Sequence, residues 1–525
     1  MTEVFSPAVV VPRTWHHALL NSNEPPDVSE SVIIQSVISR TDERLARLED
    51  EKSKLERMIN HGDDPWTCSC HICPTESQLQ DKLDSIIADR LSLSNYRKRN
   101  GAVLSPLRRM PSELLGEIFS WTCGFSSRGT LWRGKFDVVQ PWVLTWVSSR
   151  WRAVALSSPS LWSFVVLDFS SQTPNSLSQY LFPFVEAQIQ RSQKLSIHFY
   201  ASCEIDSRPQ IQMLELLSLH ASQWEELSIG IIAEMIPLLP ALCDRLASLK
   251  RLWIQWEGPE SQQTESIDCF QTASSLIDVG VFNEYMFIPT TFPTYRLTRY
   301  QLDGPWQTQK SILKETPNLA EARIEVSFDN WEADPEEIVH LSLQRAYISR
   351  PKVLPSLTFP ALEGVAFWVS NNDNLDLPTL LKSFVDRSAC PLRRLCLRGF
   401  PNADATIQVL QRVPSITELV IIISEPEALE QINAIIEALT VSESSTVAPQ
   451  LRHLSFGCEE ENSIDYGAYL QMLQSRWKSA DCALTGSALF IDSGPRPSRA
   501  TRRGLHALAT GGIGPCAGER ASGGQ

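Results

Sequence analysis

Residues 68–73 read CSCHIC, which gathers Cys68, Cys70, Cys73 and His71 into six positions, with His61 a short way upstream. Thiolate and imidazole are the donors that tetrahedral zinc takes. Structural zinc sites are usually built from two ligand pairs, and no second pair in the sequence matches this one. The cluster therefore reads as a cysteine-bearing connection without a metal. Other chemical signals are weaker still. There is no G-x-x-x-x-G-K-[ST] phosphate loop, no G-x-S-x-G elbow and no H-E-x-x-H pair. The 9 His among 525 residues fall into no constellation. The expectation is a chain with no catalytic residues and no cofactor, hence not an enzyme.

Charge narrows the partners. A formal net charge of -14 disfavours nucleic acid, because neutralising phosphates needs a basic surface. The basic stretches NYRKRN and LRRM read as solvated faces or linkers. No run approaches the ~18 apolar residues of a membrane span, and the opening MTEVFSPAVVVPRTWHHALL lacks the build of a signal peptide. The 12 Cys are then expected to be reduced thiols, in the cytoplasm or nucleus. An apolar fraction of 43% with 15 Trp and 20 Phe belongs to a folded protein, and 525 residues exceed one compact core.

What could position functional residues in such a chain is legible as periodicity. After a flexible stretch over residues 1–30, Ile34, Ile38, Leu45, Leu48, Leu55 and Ile59 fall at heptad spacing, with Thr41 and Lys52 completing the seam. Leu79, Leu83, Ile86 and Leu93 repeat the pattern, with Arg90 and Arg97 in the seam. NHGDDPW between them carries turn chemistry. Residues 31–100 thus predict a short antiparallel coiled-coil hairpin, with self-association as the alternative.

A proline-led helix follows in LSPLRRMPSELLGEIFSWT. Pro111 suits a first helical turn, and Leu114, Leu115, Ile118, Phe119 and Thr122 line one face. PWVLTWVSSRWRAVAL predicts a second helix with the stripe Leu144, Val147, Trp151 and Val154, and SSPSLWSFV closes the unit. The combination P-x-E-L-L-x-x-I-F, V-x-x-R-W-R and P-x-L-W, carried by Pro111 to Phe119, Val147 to Arg152 and Pro159 to Trp162, resembles an F-box over about residues 104–165. Ser149 stands where many such boxes carry Cys, and the loop between the helices is long. The layout also resembles F-box proteins abundant in mushroom-forming fungi, with a coiled segment before the box and irregular leucine-rich repeats after it. The CSCHIC segment is outside what that resemblance explains.

From residue 190 to about 480, segments of the form apolar-x-x-apolar-x-apolar recur. The clear cases are Leu249/Leu252/Ile254, Ile338/Leu341/Leu343, Leu392/Leu395/Leu397, Ile416/Leu419/Ile421 and Leu451/Leu454/Phe456. Weaker ones centre on Leu195, Leu227, Ile277, Tyr300, Ala322 and Val365. So loose a pattern arises by chance at roughly one position in twelve, and it is the recurrence every 19 to 35 residues that predicts a solenoid of strands and returns. No Asn stands at the usual ladder position, which excludes the regular Asn-capped variety. Tyr466, Leu470, Leu473 and Trp477 predict a helical end cap, and residues 493–525 a flexible tail. The fold class expected is α/β: helical hairpin, small all-α box, solenoid and cap.

The resemblance implies that Pro111, Leu114, Leu115, Ile118, Phe119, Val147 and Trp151 dock a Skp-type adaptor and through it a cullin ubiquitin ligase, while the repeats hold an unknown protein substrate. From the residues alone, the same stripe could instead be covered by the repeats, and the repeats could serve a scaffold without a ligase. Strand alternation sends Leu252 and Ile254 inward and Trp253 outward. It likewise exposes Arg323, Trp368 and Arg398, and these four are the expected substrate contacts. The metal expectation has a direct check. Elemental analysis of purified protein should find well below one zinc per chain, and stoichiometric zinc lost on replacing Cys68, Cys70 and Cys73 would overturn it.

Overall fold

The computed structural model describes residues 15–60, 76–123, 141–169, 181–257, 266–282, 287–326, 336–424, 429–442, 446–461, 464–493 and 514–515. The CSCHIC segment lies outside them. Two compact units result, whose described parts meet in sequence between Leu161 and Trp162.

The first unit is helical. It opens with α1 (Trp15–Asn21), α2 (Val28–Asn60) and α3 (Glu76–Val103). A reciprocal cap starts α2: Glu30 N donates to Asp27 Oδ1 at 2.7 Å and Asp27 N to Glu30 Oε2 at 2.8 Å. That first bond, seconded by the Ser29 hydroxyl, holds the Asp27 carboxyl below its usual range. Ile34, Ile38, Thr41 and Leu48 are buried along α2, with Leu83 on α3. Arg90 and Arg97 reach across to Glu49, at 2.7 Å, and Asp42, so that seven-residue steps run in opposite directions and fix an antiparallel pairing. Residues 15–30, expected to be flexible, include an α-helix and the start of another. Leu19 of α1 is buried with Ile34, Ile38 and Val103, and His16 Nε2 lies 2.7 Å from Asn100 Oδ1.

After a 3-10 turn (Pro106–Arg108) come α4 (Ser112–Cys123), α5 (Trp142–Val147) and α6 (Ser149–Leu156). The single helix expected over PWVLTWVSSRWRAVAL is two. Ser148 is extended, and its hydroxyl accepts from Trp151 N at 3.1 Å, starting α6 anew. The stripe Leu144, Val147, Trp151, Val154 is thereby broken, and Val147 turns to solvent. The Arg150 guanidinium donates to the carbonyls of Arg108 and Met110, clamping α6 to the approach of α4.

The second unit is a parallel sheet with its returns on one side. In chain order its strands are β1 (Phe164–Asp168), β2 (Leu195–Tyr200), β3 (Trp224–Ile231), β4 (Arg251–Trp256), β5 (Asp278–Phe282), β6 (Arg299–Asp303), β7 (Glu321–Glu325), β8 (Ile338–Val339), β9 (Arg345–Ile348), β10 (Leu357–Thr358), β11 (Gly364–Val369), β12 (Arg394–Gly399), β13 (Glu418–Ile423), β14 (His453–Glu461), β15 (Gly486–Ser493) and β16 (Gly514–Pro515). Among the described residues 14 of them form one open sheet in sequence order, and β8 pairs with β10 apart from it. The returns include α7 (Leu181–Arg191), α8 (Ser207–Ser218), α9 (Trp306–Glu315), α10 (Leu377–Ser388), α11 (Ala403–Arg412), α12 (Leu429–Ala438) and α13 (Tyr466–Lys478). Leu252 and Ile254, Leu395 and Leu397, and Leu419 and Ile421 are buried under these returns, while the alternate residues of each strand stay half-exposed.

Five expectations shift. The sheet starts at Phe164, not near residue 190: Trp162, Val165 and Leu167 are buried and β1 pairs with β2. The strand read at Ile338/Leu341/Leu343 lies five residues later, as Leu343/Ala346/Ile348; Leu341 is 73% exposed. Ile277 gives way to Leu276/Val279/Val281, for the same reason of burial. The end cap is not an end, since β15 follows α13 and pairs with β14. Nor is the buried face of α13 the one expected. Tyr469, Met472, Leu473 and Arg476 are inside, and Tyr466, Leu470 and Trp477 are only half-buried.

Amide side chains do stitch neighbouring units, but from the returns. Gln309 Nε2 donates to Leu302 O at 2.8 Å and to Glu325 O at 2.9 Å. Asn374 donates to Phe400 O and accepts from Asn402 N, both at 2.9 Å. Arg476 does the same with a charge. Fully buried, its guanidinium donates to Leu439 O at 2.8 Å, Ala448 O at 3.1 Å and Val447 O. Burial lowers its pKa. Replacing Arg476 by Met would take this donor from Leu439 O and Val447 O, while Ala448 O keeps Leu451 N at 3.2 Å, for a loss of about 2 to 3 kcal/mol. Urea denaturation should record that loss, with Arg476→Lys recovering only part of it because a lone ammonium lacks the fork.

Candidate functional site

Two surfaces hold the residues singled out by sequence. The first is on α4 and α5. Leu115 and Phe119 are buried, and Phe119 packs on Trp151 with ring centroids 4.8 Å apart. These two build the small core of the unit and are not available to a partner as they stand, which corrects their assignment as contacts. Leu114 is 56% exposed, Val147 51%, Pro111 is exposed, and Ile118 and Trp151 are half-buried. Sequence reasoning missed two aromatics, Trp121 at 59% and Trp146 at 67% exposure. Helical spacing from Leu114 through Ile118 to Trp121 would have found the first.

The second surface is the uncovered face of the sheet. Trp253, Arg323, Trp368 and Arg398 all fall on it, as alternation required. The pairing register puts Trp253 and Arg323 in one row, continued by Tyr347, Ala366 and Cys396. Trp368 and Arg398 pair in the next row along the strands. From β4 to β12 there are six strand steps, about 29 Å at ~4.8 Å each, so the four residues share a face and not a single pocket. Two cation–ring stacks fix their positions. Arg323 lies 4.4 Å from the Tyr347 ring and pairs with Glu325, and Arg398 lies 5.7 Å from the Trp368 ring. Burial, then the Glu325 charge, pushes the Tyr347 phenol up to about 12 against the pull of Arg323 and Arg398.

Trp253 is held differently. A Cβ added to Gly280, its neighbour on β5, would come within 2.1 Å of the indole ring, so the ring lies over the space that only glycine leaves.

A third feature went unread in the sequence. Along the strand starts, the face carries Glu226, Arg251, Asp278, Arg299, Glu321, Arg345, Gly364, Arg394, Glu418 and His453 in consecutive register. Signs alternate, and ion pairs join Arg251 to Glu226, Arg299 to Asp278 and Glu321 at 3.4 Å each, Arg345 to Glu321 at 2.8 Å, and Arg394 to Glu418 at 2.7 Å. Each is the residue just before the central apolar residue of its strand, a position whose alternating sign is visible in sequence once the repeats are aligned. Burial raises the Asp278 carboxyl, opposed by Arg299 and Arg251.

Burial pushes the thiols of Cys269 and Cys458 up to about 12 and about 11, away from nucleophilic readiness. Among the described residues no group of three His, Cys, Asp or Glu side chains could hold a metal, and no helix is long and apolar enough to cross a membrane. No protein-family model matches this chain, and no curated protein matches it.

The Trp253–Gly280 contact gives a sharp test. Gly280→Ala should cost about 1 to 3 kcal/mol by forcing the indole off the sheet. The cost should vanish in a Trp253→Ala background, read as a double-mutant cycle from denaturation curves.

Proposed function

We propose that the chain is a recognition subunit with two binding surfaces: an F-box-like helical unit that docks a Skp-type adaptor and so a cullin ubiquitin ligase, and an irregular leucine-rich-repeat sheet whose open face holds a target protein. The observation that carries the first half is the exposure of Leu114, Trp121, Trp146 and Val147 on a unit too small to gain from leaving them in water. The motif resemblance names the partner. Support for the second half is the open sheet face with its stacked Arg and aromatic side chains, the residue types that anchor interfaces. A ligase-independent scaffold would use the same open face without the adaptor.

The corrected core changes the decisive variant. Leu114→Ala, Ile118→Ala and Trp121→Ala together should abolish adaptor binding in a pull-down with purified adaptor, while circular dichroism and melting stay near those of the parent chain. Phe119→Ala should instead unfold the small unit, at about 3 to 5 kcal/mol. Undiminished binding by the folded triple variant would count decisively against docking through the box, and absence of adaptor binding to the parent chain would leave the scaffold reading in possession.

A further inference from the structure

The alternating charge row on the open face has one interruption. Between Arg345 on β9 and Arg394 on β12, where alternation calls for an acid, stands Gly364. The two equivalent positions between arginines, both on the β4 side of the gap, are filled: Asp278 lies between Arg251 and Arg299, and Glu321 between Arg299 and Arg345. At Gly364 two cations therefore flank a gap of two strand spacings, about 10 Å. Arg345 turns to Glu321 and Arg394 to Glu418, each on the side away from the gap. Both side chains are more than half exposed, and a guanidinium with five donors can serve an acid on each side, as Arg299 does with Asp278 and Glu321.

The gap has room. A Cβ at Gly364 would meet Arg394 Cβ at 3.4 Å, Arg394 Cδ at 3.8 Å and Arg345 Cγ at 3.9 Å, ordinary contact distances. An acidic side chain arriving from outside would part these two exposed, flexible stems and find a guanidinium on each side. Beyond it along β11 comes Ala366, again small, flanked by Tyr347 and Cys396 in register and followed by Trp368. Glu363, the acid nearest in sequence, is exposed and of opposite alternation to Gly364.

We propose that this missing rung is a docking position for a partner protein, and that its occupant is an acidic side chain, Glu or Asp, inserted between Arg345 and Arg394 over Gly364. The partner's carboxylate completes the row as Asp278 and Glu321 complete it elsewhere. This rests on the open face being the partner surface and is independent of whether the box binds an adaptor. A chain of net charge -14 then takes an acidic segment at one local cationic position, which sets the register of the partner along the sheet.

The test uses the full chain and fluorescein-labelled hexaglutamate, hexaglutamine and hexaphosphoserine peptides, read by anisotropy. Hexaglutamate should bind and hexaglutamine should not. Gly364→Asp, which fills the rung from within, and the pair Arg345→Gln with Arg394→Gln should each weaken hexaglutamate at least tenfold. The pair Arg251→Gln with Arg299→Gln, around a rung that is already filled, should leave it unchanged. Melting curves guard against misfolding, and Gly364→Asp should melt no lower than the parent. Absence of hexaglutamate binding to the parent chain, equal losses in the two arginine pairs, or binding of hexaphosphoserine alone would each overturn the proposal. Adaptor pull-down on the same variants is expected to be unaltered, so that failure here is distinguishable from failure of the box.

Discussion

Parallel strands stacked in register bring every residue within ~4.8 Å of its counterparts on both neighbouring strands, and the second unit depends on that constraint. On the covered face it requires apolar side chains at every unit, which Leu252, Val279, Tyr300, Ala322 and Ala346 supply in succession. On the open face it forbids like charges side by side. The alternating row from Glu226 to Arg345 is the solution to that second demand, since each arginine finds an acid on at least one neighbouring strand. Surface pairs of this kind contribute little singly, about 0 to 1 kcal/mol, but a row of five like charges at this spacing would be strongly repulsive.

The same constraint explains what could be read in advance. Parity is a local property, so Trp253, Arg323, Trp368 and Arg398 could be assigned to the open face without knowing which strands adjoin. Heptad spacing likewise disclosed the hairpin, including Arg90 and Arg97, whose place in the seam makes sense only once Glu49 and Asp42 lie opposite. Registers fared worse where small residues do the work of large ones. Ala346 is the buried central residue of β9, yet Leu341 is the more apolar choice by composition, and it is exposed because it falls before the strand. The helix break at Ser148 had a signal, a serine ahead of an amphipathic run, that the continuous apolar pattern outweighed.

What was not legible belongs to contacts far apart in sequence. The absence of a strand asparagine argued against an amide ladder, but the backbone groups at strand ends and in the connections still need partners when buried. Gln309, Asn374 and Arg476 meet that need from the returns, at distances of 16 to 37 residues from some of the carbonyls they serve. Arg476 shares the buried face of α13 with Tyr469, Met472 and Leu473, where its guanidinium reaches three carbonyl acceptors, while Trp477 stays half-buried.

The open face also shows why exposure alone is a poor guide to a binding surface. Arg323 and Arg398 are long, flexible side chains that would lose much rotamer freedom on capturing a partner. Stacked on Tyr347 and Trp368, they have given up part of that freedom on folding. Trp253 is confined in the same way by the space over Gly280. An interface assembled from such residues forfeits less entropy on association than one built from freely rotating chains. The glycines on this face thus shape what it presents to solvent. Gly280 seats an aromatic ring and Gly364 leaves the charge row without an acid between two arginines, and in each case it is the missing side chain that determines what the neighbouring strands present.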